Sequence, residues 1–301
     1  MKPTLLVLAA GMGSRYGGLK QMDPMGPHGE TVLDYSVFDA IRSGFGRVIF
    51  IIREDFEAAF KQSVGARFAD RIQVDCVFQK LSDLPKGFSV PEGREKPWGT
   101  AHAVRAARDV VKEPFAVINA DDFYGRDAYA RAAEFLIKEA DNPDAMAMVG
   151  YPLENTLSDY GTVNRGICKL DASGALAEVE EYVNIGREED GHVRGVGLNG
   201  ERRIIATGSP VSMNFWAFNP VFFAQLEEAF VNFMTESGSQ PKSECYIPTV
   251  VDQLIHDGKA RCAVLQTTGS WFGVTYPDDK AFVVESILKA ISAGEYPEKL
   301  S

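Results

Sequence analysis

Two groups of chemically capable residues stand at the ends of short apolar runs. After Thr4 to Ala9 the chain reads Ala10-Gly11-Met12-Gly13-Ser14-Arg15-Tyr16-Gly17-Gly18-Leu19-Lys20, glycines interleaved with two cations. Glycines at the carboxyl end of a strand let the main chain approach a ligand closely, and successive amides in such a turn form a concavity for anions. Ala10, Gly11 and Gly13 would line that concavity. Arg15 would fork onto phosphate oxygens and Lys20 would act as a mobile point charge, a pair suited to phosphoryl chemistry. The alternative is a tight turn with two solvated basic residues. In the second group, Val117-Ile118-Asn119-Ala120-Asp121-Asp122 ends an apolar run in two carboxylates. Hard carboxylate oxygens suit Mg2+, which uses one or two protein carboxylates together with substrate phosphates. Asp121 is the expected metal ligand and, with Arg15 and Lys20, the expected catalytic set. Capping of a helix beginning near Asp127 is the structural alternative for both aspartates.

Two common phosphate loops are excluded. Dinucleotide-binding loops open directly into a helix and want an acidic residue at the end of the second strand. Here Pro24, Gly26, Pro27 and Gly29 delay the helix, and Arg53 follows the second strand. The G-x-x-x-x-G-K-[ST] spacing is absent too, because Lys20 lies between Leu19 and Gln21.

Leu8-Ala9-Ala10-Gly11-Met12-Gly13-Ser14-Arg15 followed by Lys20 resembles the signature of the sugar-nucleotide pyrophosphorylases, nucleotidyltransferases that join a nucleoside triphosphate to a sugar 1-phosphate. The resemblance implies a three-layer Rossmann-like α/β fold with a mixed, mostly parallel sheet and an antiparallel sugar-binding extension. It makes Asp121 the family's metal-binding aspartate and turns Asp122 elsewhere. It places Gly99 and Thr100, in Trp98-Gly99-Thr100-Ala101, against the nucleobase, with Thr100 as a helix cap, and it gives Gln79 the reading of the base, favouring UTP or dTTP. His102 and Trp98 are expected to be packing residues. On the sugar side, Gly161 falls in a Tyr-Gly turn, and Glu180, in Val179-Glu180-Glu181-Tyr182, would accept from sugar hydroxyls; strand alternation sets Glu181 on the opposite face. Asn214, polar in an otherwise apolar run, is either a sugar contact or a bond satisfying a neighbouring loop.

Two departures matter. Tyr182 stands where relatives carry a lysine, so the expected substitutes for that charge are Arg187, Arg194, Arg202 or Arg203 in a closing loop. Trp271-Phe272-Gly273-Val274-Thr275 lacks the aspartate of the family's W-x-D segment, leaving Asp278 or Asp279 as candidates to complete the site. The implied reaction is attack of a sugar 1-phosphate oxygen on the α-phosphorus of the triphosphate, with release of pyrophosphate. A cytidylyltransferase acting on another phosphorylated alcohol and a non-catalytic nucleotide-sugar-binding subunit are the alternatives.

The elements that would hold these residues follow from periodicity. Strands are expected at Thr4 to Ala9, Arg47 to Ile52, Ile72 to Phe78, Phe115 to Asn119 and Ala145 to Val149. The helices between them are expected at Val32 to Ser43, Asp55 to Phe68, Gly99 to Asp109 and Asp127 to Ala140. After Gly150 antiparallel strands are expected at Thr162 to Leu170, Ala175 to Tyr182 and Val211 to Phe218, then helices at Pro220 to Met234, Ile247 to His256 and Asp278 to Ser292 around a strand at Arg261 to Gln266. Asn184 to Ser209 and Lys80 to Pro97 read as irregular loops. No linker divides the 301 residues, so one domain is expected, with a nucleotide half to about residue 125 and a sugar-phosphate half beyond it.

With 31 basic and 42 acidic residues the net charge is -11, the wrong sign for a nucleic acid backbone or an anionic membrane. Four scattered cysteines and four histidines make no zinc cluster and read as reduced thiols of a cytoplasmic protein. No run reaches the roughly 20 apolar residues of a membrane span. Nothing in the chain announces an oligomer.

Overall fold

The strand Thr4–Leu8 (β1) is apolar after its first residue because both of its faces are covered, Leu5 and Val7 by one helical layer and Leu6 by another. The computed structural model describes residues 1–11, 23–60, 66–158, 161–197, 199–273 and 279–300. The elements continue as α1 (Val32–Arg42), β2 (Arg47–Ile52), α2 (Glu57–Phe60), α3 (Ala66–Phe68), β3 (Gln73–Phe78), α4 (Thr100–Arg105), β4 (Phe115–Asn119), β5 (Asp122–Phe123) and α5 (Arg126–Lys138). The rest are β6 (Ala145–Pro152), β7 (Val163–Leu170), β8 (Leu176–Arg187), β9 (Val193–Gly197), β10 (Arg202–Ile204), β11 (Pro210–Phe218), α6 (Phe222–Ser237), α7 (Ile247–His256), β12 (Arg261–Gln266), β13 (Phe272–Gly273) and α8 (Asp279–Ser292).

Among the described residues one sheet of eleven strands runs through both halves of the chain. β3, β2, β1 and β4 are parallel, and β11 lies antiparallel to β4. Helices α1 and α5 cover one face, and α4, α6 and α7 cover the other, which gives the expected three-layer α/β arrangement. Helix α1 starts at a capping box in which the Thr31 hydroxyl accepts from the Asp34 amide at 3.2 Å and Asp34 Oδ2 accepts from the Thr31 amide at 2.7 Å.

Strand β11 divides the sheet. Its end, Trp216–Phe218, pairs with β4, whereas its start, Val211–Ser212, pairs with β7 in the space beyond the end of β4. On its other side β6 accompanies it throughout, with the register broken between Ser212 and Trp216. Asn214 sits in that break at φ 62°, a left-handed conformation that asparagine tolerates better than other side chains. Its Nδ2 donates to Asn119 Oδ1 at 2.6 Å, and its Oδ1 accepts from Trp216 Nε1 at 2.9 Å. From β7 the chain meanders through β8, β9 and β10 as the antiparallel extension.

Several segments depart from the sequence expectation. Of the helix expected over Asp55 to Phe68, the described residues show a 3-10 turn at Glu54–Phe56, then α2 and α3, and residues 61–65 lie outside the described residues. The helix expected to reach Asp109 ends at Arg105 and continues as turns. Asn184 to Ser209, expected to be irregular, contains the end of β8 and all of β9 and β10. Its period of two was hidden because two of the three inward positions of β9 are Gly195 and Gly197, which carry no apolar side chain to reveal it.

Replacing Asn214 by Ala removes two side-chain hydrogen bonds, strands the Trp216 Nε1 hydrogen, and puts into the left-handed region a side chain that tolerates it less well than asparagine. A loss of about 2–3 kcal/mol is expected, read as the urea midpoint. Asn214→Gly, which keeps the backbone but not the bonds, is expected to recover about 1 kcal/mol of it.

Candidate active site

Because β1 to β4 are parallel, their carboxyl ends share one edge. There the ladder runs one residue past each strand: the Ala9 amide donates to Ile51 O at 2.8 Å, Gln79 to Ile52 O at 3.0 Å and Ala120 to Leu8 O at 3.2 Å. Ala10 is buried, and Gly11, exposed, has nothing within 4 Å of where a Cβ would stand. Asp121 stands half-buried beside this loop, since Leu8 and Asn119 are register partners. The structure therefore brings Ala10, Gly11, Gln79 and Asp121 to a common edge. Gly13, Arg15 and Lys20 lie outside the described residues.

Asp122 is buried and does not cap α5, whose cap is Gly125. Its Oδ2 accepts from Asn119 Nδ2 at 2.8 Å and lies 3.2 Å from the Tyr124 hydroxyl. That hydroxyl also accepts from the Asn119 amide and faces Met213 O at 2.9 Å. The network ties the end of β4 to the break in β11. Opposite Asp122 stands Gly273, and a Cβ there would lie 2.6 Å from Asp122 Oδ1. Thus the position at which the resemblance expects a second aspartate is filled from the facing strand by the Asp122 carboxylate. Asp279 begins α8, and Asp278 lies outside the described residues.

On the base side, Gln79 Nε2 donates to Gly99 O at 3.2 Å and lies 3.1 Å from His102 Nδ1. His102 Nε2 lies 2.9 Å from Asp83 O. Burial pushes the His102 imidazole down to about 4, against the opposing influence of Asp83 and with further lowering from Arg105 and Arg108. Burial disfavours ionisation of the Asp83 carboxyl, but its bonds to Arg108 and the charge of Arg105 outweigh that and hold it low. Gly99, at φ 98°, is required by a close approach to protein: a Cβ would lie 2.3 Å from Cys245 O. The expectation that Thr100 caps its own helix is corrected: that helix has Gly99 as its N-cap, and the Thr100 hydroxyl accepts from the Ile247 amide at 3.1 Å, at the start of α7. Trp98 is fully buried, with the Arg94 guanidinium 3.3 Å from its ring centroid.

On the sugar side, Gly161 is exposed beside Ser158. The register pairs Gly166 with Glu181, Ile167 with Glu180 and Arg165 with Tyr182. Glu180 therefore shares a face with Tyr182, as alternation requires, and ion-pairs with Lys169 at 2.9 Å and Arg203 at 3.6 Å. Glu181, on the other face, lies over Gly166, and desolvation raises its carboxyl. The four arginines of the extension are engaged within it. Arg194 pairs with Glu188 and Asp190, Arg202 with Glu188, Arg203 with Glu201 and Glu180, and Arg187 donates to Gly191 O.

The sequence reading missed Arg165, directly across from Tyr182. It donates to Thr156 O at 2.6 Å, Thr156 Oγ1 at 3.2 Å and Asn164 O at 2.8 Å, and its guanidinium lies 5.0 Å from the Trp271 ring. Among the described residues no carboxylate stands within ion-pair reach of it. Burial pushes it down to about 10, opposed by the charge of Asp122. Nothing in the spacing of the chain marks this arginine, because its significance comes from the strand opposite.

A mostly parallel sheet with Ala10, Gly11 and the Asp121 carboxylate at its carboxyl edge, extended by antiparallel strands, is an α/β architecture that binds ligands at that edge. The chain belongs to the nucleotidyl transferase family, whose model matches residues 4–183. No curated protein matches it significantly. Solved structures resemble it over nearly their whole length. A Bacillus anthracis protein assigned as a glucose-1-phosphate thymidylyltransferase, solved with sucrose, is 10% identical with a TM-score of 0.60, covering 94% of each chain. A UDP-glucose pyrophosphorylase complexed with UDP-glucose is 16% identical, TM-score 0.58, covering 96% of this chain and 99% of that one. The inositol-1-phosphate CTP transferase of T. maritima is 12% identical, TM-score 0.60, covering 96% of each. At these identities the likeness is one of fold. Among the described residues no helix is long and apolar enough to cross a membrane.

Between pH 6.5 and 4 the unfolded chain binds a proton at His102 that the folded chain refuses, so this group's contribution to stability is present above pH 6.5 and is lost as pH falls toward 4. The wild type is expected to lose up to about 3 kcal/mol by this route. Urea melts of wild type and His102→Leu across that range should show a shallower acid dependence in the variant.

Proposed function

We propose that the protein transfers a nucleotidyl group from UTP or dTTP to a sugar 1-phosphate, releasing pyrophosphate. The observation that carries this reading is the meeting, at one sheet edge, of Ala10 and Gly11, the Gln79 amide and the Asp121 carboxylate, with the antiparallel extension joined to β11 beyond the end of β4. Membership of the nucleotidyl transferase family supports the chemistry. The thymidylyltransferase and the UDP-glucose pyrophosphorylase among the structural neighbours support the base and the acceptor. A second reading, transfer of a cytidylyl group to another phosphorylated alcohol, has the inositol-1-phosphate CTP transferase in its favour.

In this reaction an oxygen of the sugar phosphate forms a bond to the α-phosphorus, the bond to the bridging oxygen breaks, and pyrophosphate leaves with the electron pair. The attacking group has a second pKa of about 6, so it is anionic at neutral pH and needs no general base. Catalysis then rests on positioning and on offsetting charge. Gly11 and Gly13 amides, Arg15 and Lys20 are the groups proposed to hold the triphosphate.

The donor set at the edge suits Mg2+. Asp121 is a half-buried hard-oxygen donor, and Asp122 stands next to it in the chain. That is the pattern of a cation which shares its ligands with phosphates. When bound, Mg2+ would offset phosphate charge during transfer. Asp121 would hold it, and the Asn119, Asp122 and Tyr124 network fixes the strand end from which Asp121 projects. Arg165 is proposed to meet the sugar phosphate in place of a lysine at Tyr182, and Glu180 to accept from sugar hydroxyls.

Asp121→Asn is expected to lower kcat for pyrophosphate release by at least about a hundredfold while nucleotide binding, measured by calorimetry, changes far less. Retained turnover would remove the metal assignment. Arg165→Met is expected to raise KM for the sugar phosphate by about ten- to a hundredfold with nucleotide affinity nearly unchanged, Arg165→Lys being intermediate. An equal effect on both substrates would show that Arg165 only supports the fold.

A further inference from the structure

Gln79 ends β3 with its amide against two fixed partners, and their chemistry settles which way the amide faces. The carbonyl of Gly99 can only accept, so the group 3.2 Å from it is the NH2 of Gln79. The carbonyl of Asp83, also acceptor-only, lies 2.9 Å from His102 Nε2, so that nitrogen carries the hydrogen. A neutral imidazole protonated at Nε2 has a lone pair on Nδ1, and Nδ1 accepts the second hydrogen of the Gln79 NH2 at 3.1 Å.

The imidazole cannot rotate out of this arrangement. It is fully buried, 5.1 Å from the Phe230 ring. The segment bearing Asp83 is clamped in turn: its carboxylate accepts from Arg108 at 2.8 and 2.9 Å and from Arg105 at 3.1 Å, and its carbonyl also accepts from Arg105 at 3.0 Å. Arg105 is itself buried and paired with Glu227. Both hydrogens of the Gln79 amide are thereby committed, and among the described residues no donor reaches its Oε1.

We infer that His102 is a positioning residue for base selection: it holds Gln79 so that only an acceptor is presented to the nucleobase, favouring a base with a ring N–H at that point. The inference rests on the reading of this edge as the nucleotide site. Uracil and thymine present N3–H to such an acceptor. Cytosine presents a lone pair at N3, which Oε1 repels, and a freely turning amide would have met it with NH2. Guanine also bears a ring N–H, so its rejection would need the size of the pocket as well.

The test is calorimetric binding of UTP, dTTP, CTP and GTP to the full chain, which requires no knowledge of the acceptor, alongside pyrophosphate release with glucose 1-phosphate. The wild type is expected to bind UTP or dTTP at least about tenfold more tightly than CTP. In His102→Leu that ratio should fall several-fold toward one, because the amide keeps only the Gly99 carbonyl to hold its orientation. In His102→Gln, whose amide can donate to Asp83 O and accept from Gln79, most of the ratio should return. A His102→Leu protein with a normal melting curve and an unchanged ratio overturns the inference while leaving nucleotidyl transfer standing, as does a wild-type preference for CTP. Should both His102 variants fail to fold, Gln79→Leu must erase the same ratio, and its survival there overturns the inference. Failure of the wild type to bind any of the four nucleotides overturns the functional reading itself.

Discussion

A strand has only two edges, and β11 must serve three neighbours. β6 takes one edge along its length, and β4 and β7 share the other, β4 at Trp216–Phe218 and β7 at Val211–Ser212. The backbone between these pairings has to break register, and the polar groups freed there have to be satisfied. Asn214 meets both demands, with a left-handed backbone and a side chain that spans from Trp216 to Asn119. Where β4 stops, β11 turns from it to β7, and half-buried Asp121 follows the end of β4 at that junction. Tyr124 adds the second tie, from the end of β4 to Met213.

Around this division the chain solves an electrostatic problem as well. A protein with a formal charge of -11 that handles polyanions must supply positive charge locally. The extension is rich in arginine, but Arg194, Arg202 and Arg203 are paired with Glu180, Glu188, Asp190 and Glu201, and Arg187 is exposed and bonded to Gly191 O. Arg165 differs: its hydrogen bonds go to two carbonyls and a hydroxyl, so its charge is held in place without being cancelled. Partly exposed pairs such as Arg194 with Asp190 contribute little to stability.

The sequence made the parallel core legible because buried parallel strands read as unbroken apolar runs, and Arg47–Ile52, Phe115–Asn119 and Arg261–Gln266 have the expected bounds. It also made the strand ends legible, and with them Gly11, Gln79 and Asp121. What it hid depends on distance across the fold. Gly99 reads equally well as a cradle for a base or for protein, and only the arrival of Cys245 decides between them. His102 looks like a packing residue until Gln79, 23 positions earlier, is seen against its ring. Arg165 carries no motif at all, and its interest lies in facing Tyr182.

The junction of Gly99 and Thr100 with the start of α7 bears on how the chain is made. The Trp98 carbonyl accepts from Cys245, the Ala101 amide donates to Cys245 O, and the Thr100 hydroxyl accepts from Ile247. The first 125 residues hold nearly all of the nucleotide-side groups, yet the segment that anchors Gln79 is itself anchored by residues synthesised more than a hundred positions later. A nascent chain emerging from the ribosome can assemble β1 to β4 early, but the segment that holds Gln79 stays unlatched until α7 has emerged and docked. Cleaving the gene at the apparent boundary between halves would therefore sever the latch from the part it closes.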